Sequence, residues 1–208
     1  DQLKSARKKT GLDCSMVVAS GEINKIKCSV VASDFSFMGA SIEAAEGEAI
    51  LFAAMHAIEN KQPLIIVAQG GGMRMQASGI SLMQMPRTTL AVNEVKAAGL
   101  PYIVIMADPV AGGITASYAM LSDVAFAEPG ATVAFAGRRV IQGTVKEELP
   151  SNFQVSESVT GFIDRICERK NLNKEIGMLL SILLKKNNVI TSEENETSES
   201  NITTREAS

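Results

Sequence analysis

Short apolar runs alternate along the chain with longer stretches in which apolar and polar residues are mixed. The apolar runs are rich in Val and Ile and predict strands at 16–19, 25–32, 64–68, 102–107, 124–127 and 132–136. The mixed stretches predict helices at 43–60, 78–98, 114–121, 140–146 and 174–185, after a polar lead-in or short helix over 1–10. Strands that alternate with helices predict an α/β fold with substantial parallel pairing.

The end of the chain departs from this pattern, because apolar residues nearly disappear over 191–208. That composition is typical of a polar, disordered tail. We therefore expect one folded domain over 1–190 and a disordered tail over 191–208. A chain of 208 residues is long enough for such a domain to bury a sizeable core.

Composition narrows the functional classes. Hydrophobic residues make up 46% of the chain and the formal net charge is −3, which gives no reason to expect nucleic acid as the main partner. No run of about eighteen apolar residues occurs, so we expect no membrane-spanning helix. Three cysteines without CxxC spacing predict reduced thiols in a cytoplasmic protein and no metal site. The sequence begins with Asp1 and shows no signal peptide, so we expect it to be a fragment of a longer protein.

Two glycine-containing loops, at 70–72 and 108–113, share one layout. Each follows a predicted buried strand and precedes a predicted helix. This arrangement places unpaired backbone N–H groups around a cavity at the strand ends, which suits an anion or a charge that develops during a reaction. Neither loop matches GxxxxGK[ST] or GxGxxG. Tight turns in an α/β protein are the common alternative explanation.

Side-chain catalysis has few candidates. His56 is the only histidine, and it lies within a predicted helix, where a structural or surface role is more common than a catalytic one. A Ser-His-Asp hydrolase would need His56 as its base and Ser117 as its nucleophile. No cluster of His, Cys and carboxylates has the spacing of metal ligands. An enzyme built on this sequence is therefore expected to rely on main-chain electrostatics.

Several long motifs resemble those of one family in the same order. GGMRMQASGISLMQMPRTT at 71–89 and DPVAGGITASYAMLSDVAFAEPGATVAFAGRRVI at 108–141 resemble two signature blocks of the carboxyltransferase β subunits of bacterial-type acetyl-CoA carboxylases. KEELPSNFQVSE at 146–157 and FSFMGAS at 35–41 resemble two shorter segments of that family. The matches cover nearly all of the chain from about residue 3 to 185.

The resemblance implies a ClpP/crotonase-like superhelix of ββα units. It implies transfer of a carboxyl group from carboxybiotin on a carrier protein to acetyl-CoA, which gives malonyl-CoA for fatty acid biosynthesis. The backbone amides that hold the enolate oxygen in that family match Gly112 and Gly113. The positions that match substrate-binding residues are Gly71, Gly72, Arg74, Ala111 and Gly137. The implied partners are a carboxyltransferase α subunit, in an α2β2 heterotetramer, and the biotin carboxyl carrier protein.

Some features depart from the family. Gly70, Met73, Arg138, Gln142 and Ala40 replace the usual Ser, Ala, Pro, Glu and Gly. The family's N-terminal zinc ribbon is absent from this sequence, so zinc is expected only in that missing segment. Two alternatives remain open at this point, a Clp-like serine peptidase and a non-catalytic, degenerate subunit.

Overall fold

A computed structural model describes residues 1–146, 148–159 and 161–185, with the side chain of Arg139 excepted. The predicted tail at 191–208 lies outside these described residues, as does the predicted domain limit at 190. Within the described ranges, no helix has both the length and the apolar character that crossing a bilayer requires.

One six-stranded sheet forms the centre of the fold, with its strands in chain order. The strands are β1 (Met16–Ile23), β2 (Ile26–Ser33), β3 (Leu64–Gly70), β4 (Tyr102–Val110), β5 (Val124–Ala127) and β6 (Arg165–Ile166). The first two strands form an antiparallel hairpin, and every later neighbour pairs in parallel. The predicted α/β class with parallel pairing is confirmed.

Within the described ranges, six α-helices connect or flank these strands. They are α1 (Gln2–Thr10), α2 (Ala44–Glu59), α3 (Gly79–Leu82), α4 (Gln84–Ala97), α5 (Arg138–Val145) and α6 (Leu172–Leu183). The helices α2 and α4 pack on each other and share one core with the sheet, whereas α6 packs on a second core that includes Ile65, Ile103 and Phe126. The sheet is therefore covered on both faces, which explains why β3 and β4 are continuous apolar runs.

Three predicted elements differ from the structure. The helix predicted over 78–98 is two helices, α3 and α4, which Met83 separates, and Ser78 precedes the first of them with a φ of 48°. The helix predicted over 114–121 is a series of turns that ends in the 3-10 helix Tyr118–Leu121. The strand predicted over 132–136 forms only isolated bridges, from Val133 to Val110 and from Thr132 to Val155.

Candidate active site

The two glycine loops meet at the carboxyl edge of the parallel sheet. The first loop, residues 70–73, begins with the last residue of β3, and the second loop, residues 111–113, directly follows β4. The N–H of Ala111 donates to the carbonyl of Gly70 at 3.0 Å, so the loops begin side by side. This neighbouring position follows from the parallel register of β3 and β4, in which Gly70 lies opposite Val110.

Two of the glycines are required by the close approach of the loops. A Cβ atom at Gly72 would lie 3.1 Å from the amide nitrogen of Gly113, and a Cβ atom at Gly112 would lie 2.8 Å from the carbonyl oxygen of Gly71. Their φ angles of +123° and +61° are also unfavourable for residues with side chains. Larger residues at either position would push the two loops apart.

The amide groups of these loops are used unequally. The N–H of Gly112 donates to the carbonyl of Phe135 at 2.9 Å. The N–H groups of Gly113 and of Gly71, Gly72 and Met73 have no acceptor among the described residues. Partly buried N–H groups without a protein partner are available to a ligand. The geometry therefore favours Gly113 over Gly112 as the donor from the second loop.

Hydroxyl groups hold the second loop in place. The Oγ1 of Thr115 lies 2.8 Å from the carbonyl oxygens of both Gly112 and Ala134, which share its one hydrogen. The Oγ of Ser117 donates to the carbonyl of Gly113 at 2.6 Å. These bonds fix the peptide planes on both sides of Gly113, and they also explain why this segment forms turns rather than a regular helix.

Buried charges hold the first loop in place. Two backbone hydrogen bonds also join Ile42 to this loop. The N–H of Ile42 donates to the carbonyl of Gly72 at 2.9 Å, and the N–H of Arg74 donates to the carbonyl of Ile42 at 2.8 Å. The Arg74 guanidinium donates to the carboxylate of Glu43 at 2.5 Å and to that of Glu46 at 2.8 Å. Arg74 is only 4% exposed and Glu46 is fully buried, so this ion pair is shielded from solvent.

These contacts change the interpretation of Arg74. The resemblance implied that it binds substrate, but all three guanidinium nitrogens donate to Ser41, Glu43 or Glu46 within the protein. The side chain thus points into the fold, and its contacts support a role in fixing the loop rather than in contacting a ligand. The Glu43 and Glu46 partners were missed in the sequence, although their three-residue spacing at the start of a helix is a recognisable capping signal.

The remaining predicted positions lie at or near the same edge. Ala111 is half-buried and begins the second loop. Gly137 is exposed and directly precedes α5. It lies two residues after Phe135, whose carbonyl accepts from the N–H of Gly112. Phe135 itself was not singled out from the sequence, because a backbone acceptor leaves no sequence signature.

The two residues of the hydrolase alternative do not form a pair. The Nδ1 of His56 lies 2.8 Å from the Oγ of Ser29, not near Ser117. Ser29 pairs with Leu64, the first residue of β3, whereas the glycine loops lie at the other end of that strand. Six residues of strand span roughly 20 Å. The lone histidine is therefore remote from Ser117, which follows the second loop.

Two buried tyrosines are not candidate general bases. Burial raises the pKa of both Tyr102 and Tyr118, so their phenols stay protonated and neutral at physiological pH. The Tyr102 hydroxyl donates to the carbonyl of Tyr118 at 2.9 Å. Among the described residues, no group of three or more His, Cys, Asp or Glu side chains could hold a metal ion. The chemistry available at this edge is hydrogen bonding from main-chain amides.

Comparisons with known proteins agree with the motifs. The model of the carboxyl transferase domain family matches residues 1–166. A curated relative from Pelagibacter ubique, an acetyl-coenzyme A carboxylase carboxyl transferase subunit beta, is 64% identical over 201 residues, which cover 96% of this chain and 65% of the relative. A protein of the same name from Liberibacter asiaticus is 51% identical over 187 residues, which cover 89% of this chain and 66% of the relative. The chain thus spans less than two thirds of the length of either relative.

Solved structures support the fold. The transcarboxylase 12S structure with bound methylmalonyl-coenzyme A aligns with a TM-score of 0.72 and 26% identity, over 80% of this chain and 33% of that chain. The hetero-dimer of a Pseudomonas malonate decarboxylase aligns with a TM-score of 0.73 over 82% of this chain and 78% of that chain, and its 19% identity bears on the fold alone. These likenesses confirm the predicted crotonase-like fold.

Proposed function

The chain belongs to the carboxyl transferase domain family, and from that premise we propose that it is the acyl-CoA-binding part of a biotin-dependent carboxyltransferase β subunit. Its reaction is the transfer of a carboxyl group to acetyl-CoA, which gives malonyl-CoA for fatty acid synthesis. The observation that carries this proposal is the free N–H of Gly113 beside Gly72, at the edge where two glycine loops meet.

Main-chain amides are the catalytic groups in this proposal. The thioester oxygen of acetyl-CoA accepts hydrogen bonds from Gly113 and from an N–H of the first loop, at Gly72 or Met73. Removal of a proton from the acetyl methyl group places negative charge on that oxygen, and the fixed amides stabilise the charge. The loop is set before substrate binds, because Thr115 and Ser117 already hold the peptides around Gly113. Bound carboxybiotin on a carrier protein would supply the carboxyl group and, as it gives that group up, the acceptor for the methyl proton.

The placement of the histidine and of two buried tyrosines fits this mechanism. His56 lies at the far end of β3, and the phenols of Tyr102 and Tyr118 are neutral. The role of the described residues is thus to bind and orient the thioester and to stabilise its enolate. A serine peptidase is disfavoured, because the Ser117 hydroxyl donates to Gly113 and has no histidine beside it.

Partner subunits follow from the same proposal. The two loops together form one amide site for one reactant, so a second subunit is needed to hold the carboxyl donor. We propose the carboxyltransferase α subunit in an α2β2 assembly, with the biotin carboxyl carrier protein as donor. The three cysteines without paired spacing support the cytoplasm as the compartment. Zinc is proposed only for the N-terminal segment of the longer protein.

A reconstitution experiment tests the proposal. The full-length protein that contains this chain is mixed with an α subunit and free biotin, and decarboxylation of malonyl-CoA is followed. We expect turnover with both subunits and none with either alone. Absence of turnover by the complete mixture contradicts the catalytic proposal. If acetyl-CoA still binds in that case, the non-catalytic subunit is the better reading, in keeping with the unusual Met73 and Arg138.

A further inference from the structure

The side chain of Met73 lies against Gly113, whose amide is free. A Cβ atom at Gly113 would lie 2.7 Å from the Cγ and 3.0 Å from the Cε of Met73. The same atom would lie 3.2 Å from the Sδ of Met85 in α4. Two methionine side chains, one from the first loop and one from α4, therefore lie against the Cα of Gly113.

We propose that Met73 is a specificity-determining residue, which restricts the acyl group at this site to the size of acetyl. This inference rests on the proposed function of Gly113 as an amide donor to the thioester. Within one residue, Cβ and the amide nitrogen are about 2.5 Å apart. Atoms of Met73 therefore lie within roughly 5 Å of the Gly113 nitrogen, close to where a bound thioester oxygen and its acyl carbons would sit.

The position of Met73 in the fold supports this role. Met73 is half-buried and packs against the main core cluster, so the core restricts the positions that its side chain can take. Its backbone pairs with Ile42, and the buried Arg74 follows it directly, so its Cα is held firmly. An added methylene on the acyl group would have to displace the thioether of Met73 or Met85.

The expected size of the effect follows from hydrophobic pockets in general. A single methylene in such a pocket changes selectivity roughly 10- to 200-fold. The proposal therefore predicts a clear preference for malonyl-CoA over methylmalonyl-CoA as the carboxylated thioester. Met73→Ala should relax that preference by about tenfold or more, mainly by raising kcat/KM for methylmalonyl-CoA.

The experiment compares both thioesters with the full-length protein and its α subunit, in the decarboxylating direction with free biotin. The variants are Met73→Ala, Met73→Leu and the control Met75→Ala. Met75 is 87% exposed and two residues along the same segment, so its truncation should leave the ratio of kcat/KM values unchanged. Met73→Leu keeps most of the side-chain volume and should retain most of the preference.

The outcomes separate this inference from the proposed function. If the native assembly turns over neither thioester, the proposed function fails. If malonyl-CoA is turned over but Met73→Ala and Met75→Ala have the same ratio as the native protein, only the role of Met73 is overturned. Should Met73→Ala fold poorly, Met73→Val replaces it in the same comparison, because valine also removes the thioether. A ratio that moves towards methylmalonyl-CoA supports the role, and a ratio equal to that of the native protein overturns it.

Discussion

The first and second glycine loops lie side by side at the ends of adjacent strands, yet they are held by different chemistry. The first loop is followed by Arg74, whose guanidinium is buried against Glu43 and Glu46. The second loop is held by neutral donors, the hydroxyls of Thr115 and Ser117. Both arrangements leave amide groups free at the same edge of the sheet.

The difference separates two ways of fixing an amide for catalysis. A buried ion pair can hold a loop in place, but removing one partner strongly destabilises the fold, because the other charge is left buried without a counter-charge. Hydroxyl-to-carbonyl bonds each contribute about 0.5–1.5 kcal/mol, and the loss of one leaves no buried charge without a partner. We therefore expect substitutions at the anchor of the first loop to lower mainly the free energy of unfolding. In the second loop we expect the main effect to be on activity, through loss of the Gly113 N–H.

The largest effect is expected from Arg74→Met. This change leaves the fully buried Glu46 without its cation, and removing one partner of a buried pair typically lowers the free energy of unfolding by about 3–5 kcal/mol. Urea denaturation of the two proteins measures the difference.

The matched control for Arg74 is Arg87→Met. Arg87 pairs with Glu48 at 2.7 Å, but its side chain is 38% exposed and that of Glu48 is 68% exposed. Exposed pairs contribute about 0–1 kcal/mol. Equal losses in the two variants would show that the buried pair does not anchor the first loop more strongly than a surface pair would.

The next effect concerns the amide of Gly113. Gly113→Pro removes the proposed donor, and loss of one such donor typically costs about 2.7–4 kcal/mol of transition-state stabilisation, or roughly a 100- to 1000-fold fall in kcat. Gly113→Ala is the control, since its Cβ also meets Met73 but its N–H is retained. Carboxyltransferase activity of the assembled subunits is the measurement, with circular dichroism to verify folding.

The comparison of the two Gly113 variants is what identifies the donor. If proline and alanine reduce kcat equally in folded protein, crowding against Met73 accounts for the loss and the amide has no special part. A far greater loss with proline supports main-chain stabilisation of the enolate.

Much of this edge of the sheet was predictable. The apolar runs at 64–68 and 102–107 correctly predicted the buried strands β3 and β4, because strands covered on both faces need apolar residues throughout. The glycines after each strand correctly predicted loops at the carboxyl edge, although residues 108–110 of the loop predicted over 108–113 belong to β4. Parallel pairing then brings the two loops together, so their proximity follows from the strand order.

The unpredicted part depends on long-range hydrogen bonds. The segment 114–121 has helix-like composition, but Thr115 bonds to Ala134 from a distant part of the chain, and turns form instead. Likewise, the engagement of the Gly112 amide by Phe135 requires two loops to be folded together. Neither contact leaves a local pattern, and the inward direction of Arg74 could be suspected only from the spacing of Glu43 and Glu46.

A smaller effect is expected from Thr115→Val in the second loop. Valine keeps the shape of the side chain but cannot donate to the carbonyls of Gly112 and Ala134. The Gly112 carbonyl still accepts from the N–H of Ala116 at 3.0 Å, but the buried Ala134 carbonyl loses the Thr115 donor. The free energy of unfolding should therefore fall by about 1–3 kcal/mol in urea denaturation. A loss as large as that of Arg74→Met would contradict the contrast between charged and neutral anchors.

The smallest effects on activity are expected from Ser117→Ala and His56→Ala. The Ser117 hydroxyl bonds the carbonyl of Gly113 and supports the loop from behind, while Thr115 still fixes the preceding peptide after its loss. His56 bonds Ser29 at the opposite end of β3 and has no part in the proposed proton transfer. Each variant should keep kcat within about tenfold of the native value, a change of less than about 1.4 kcal/mol. Single-turnover measurements on the assembled enzyme can detect such a change. If Ser117→Ala abolishes turnover in a folded protein, the Ser117 hydroxyl would act as a nucleophile, and hydrogen bonding from the Gly113 N–H would no longer explain the activity.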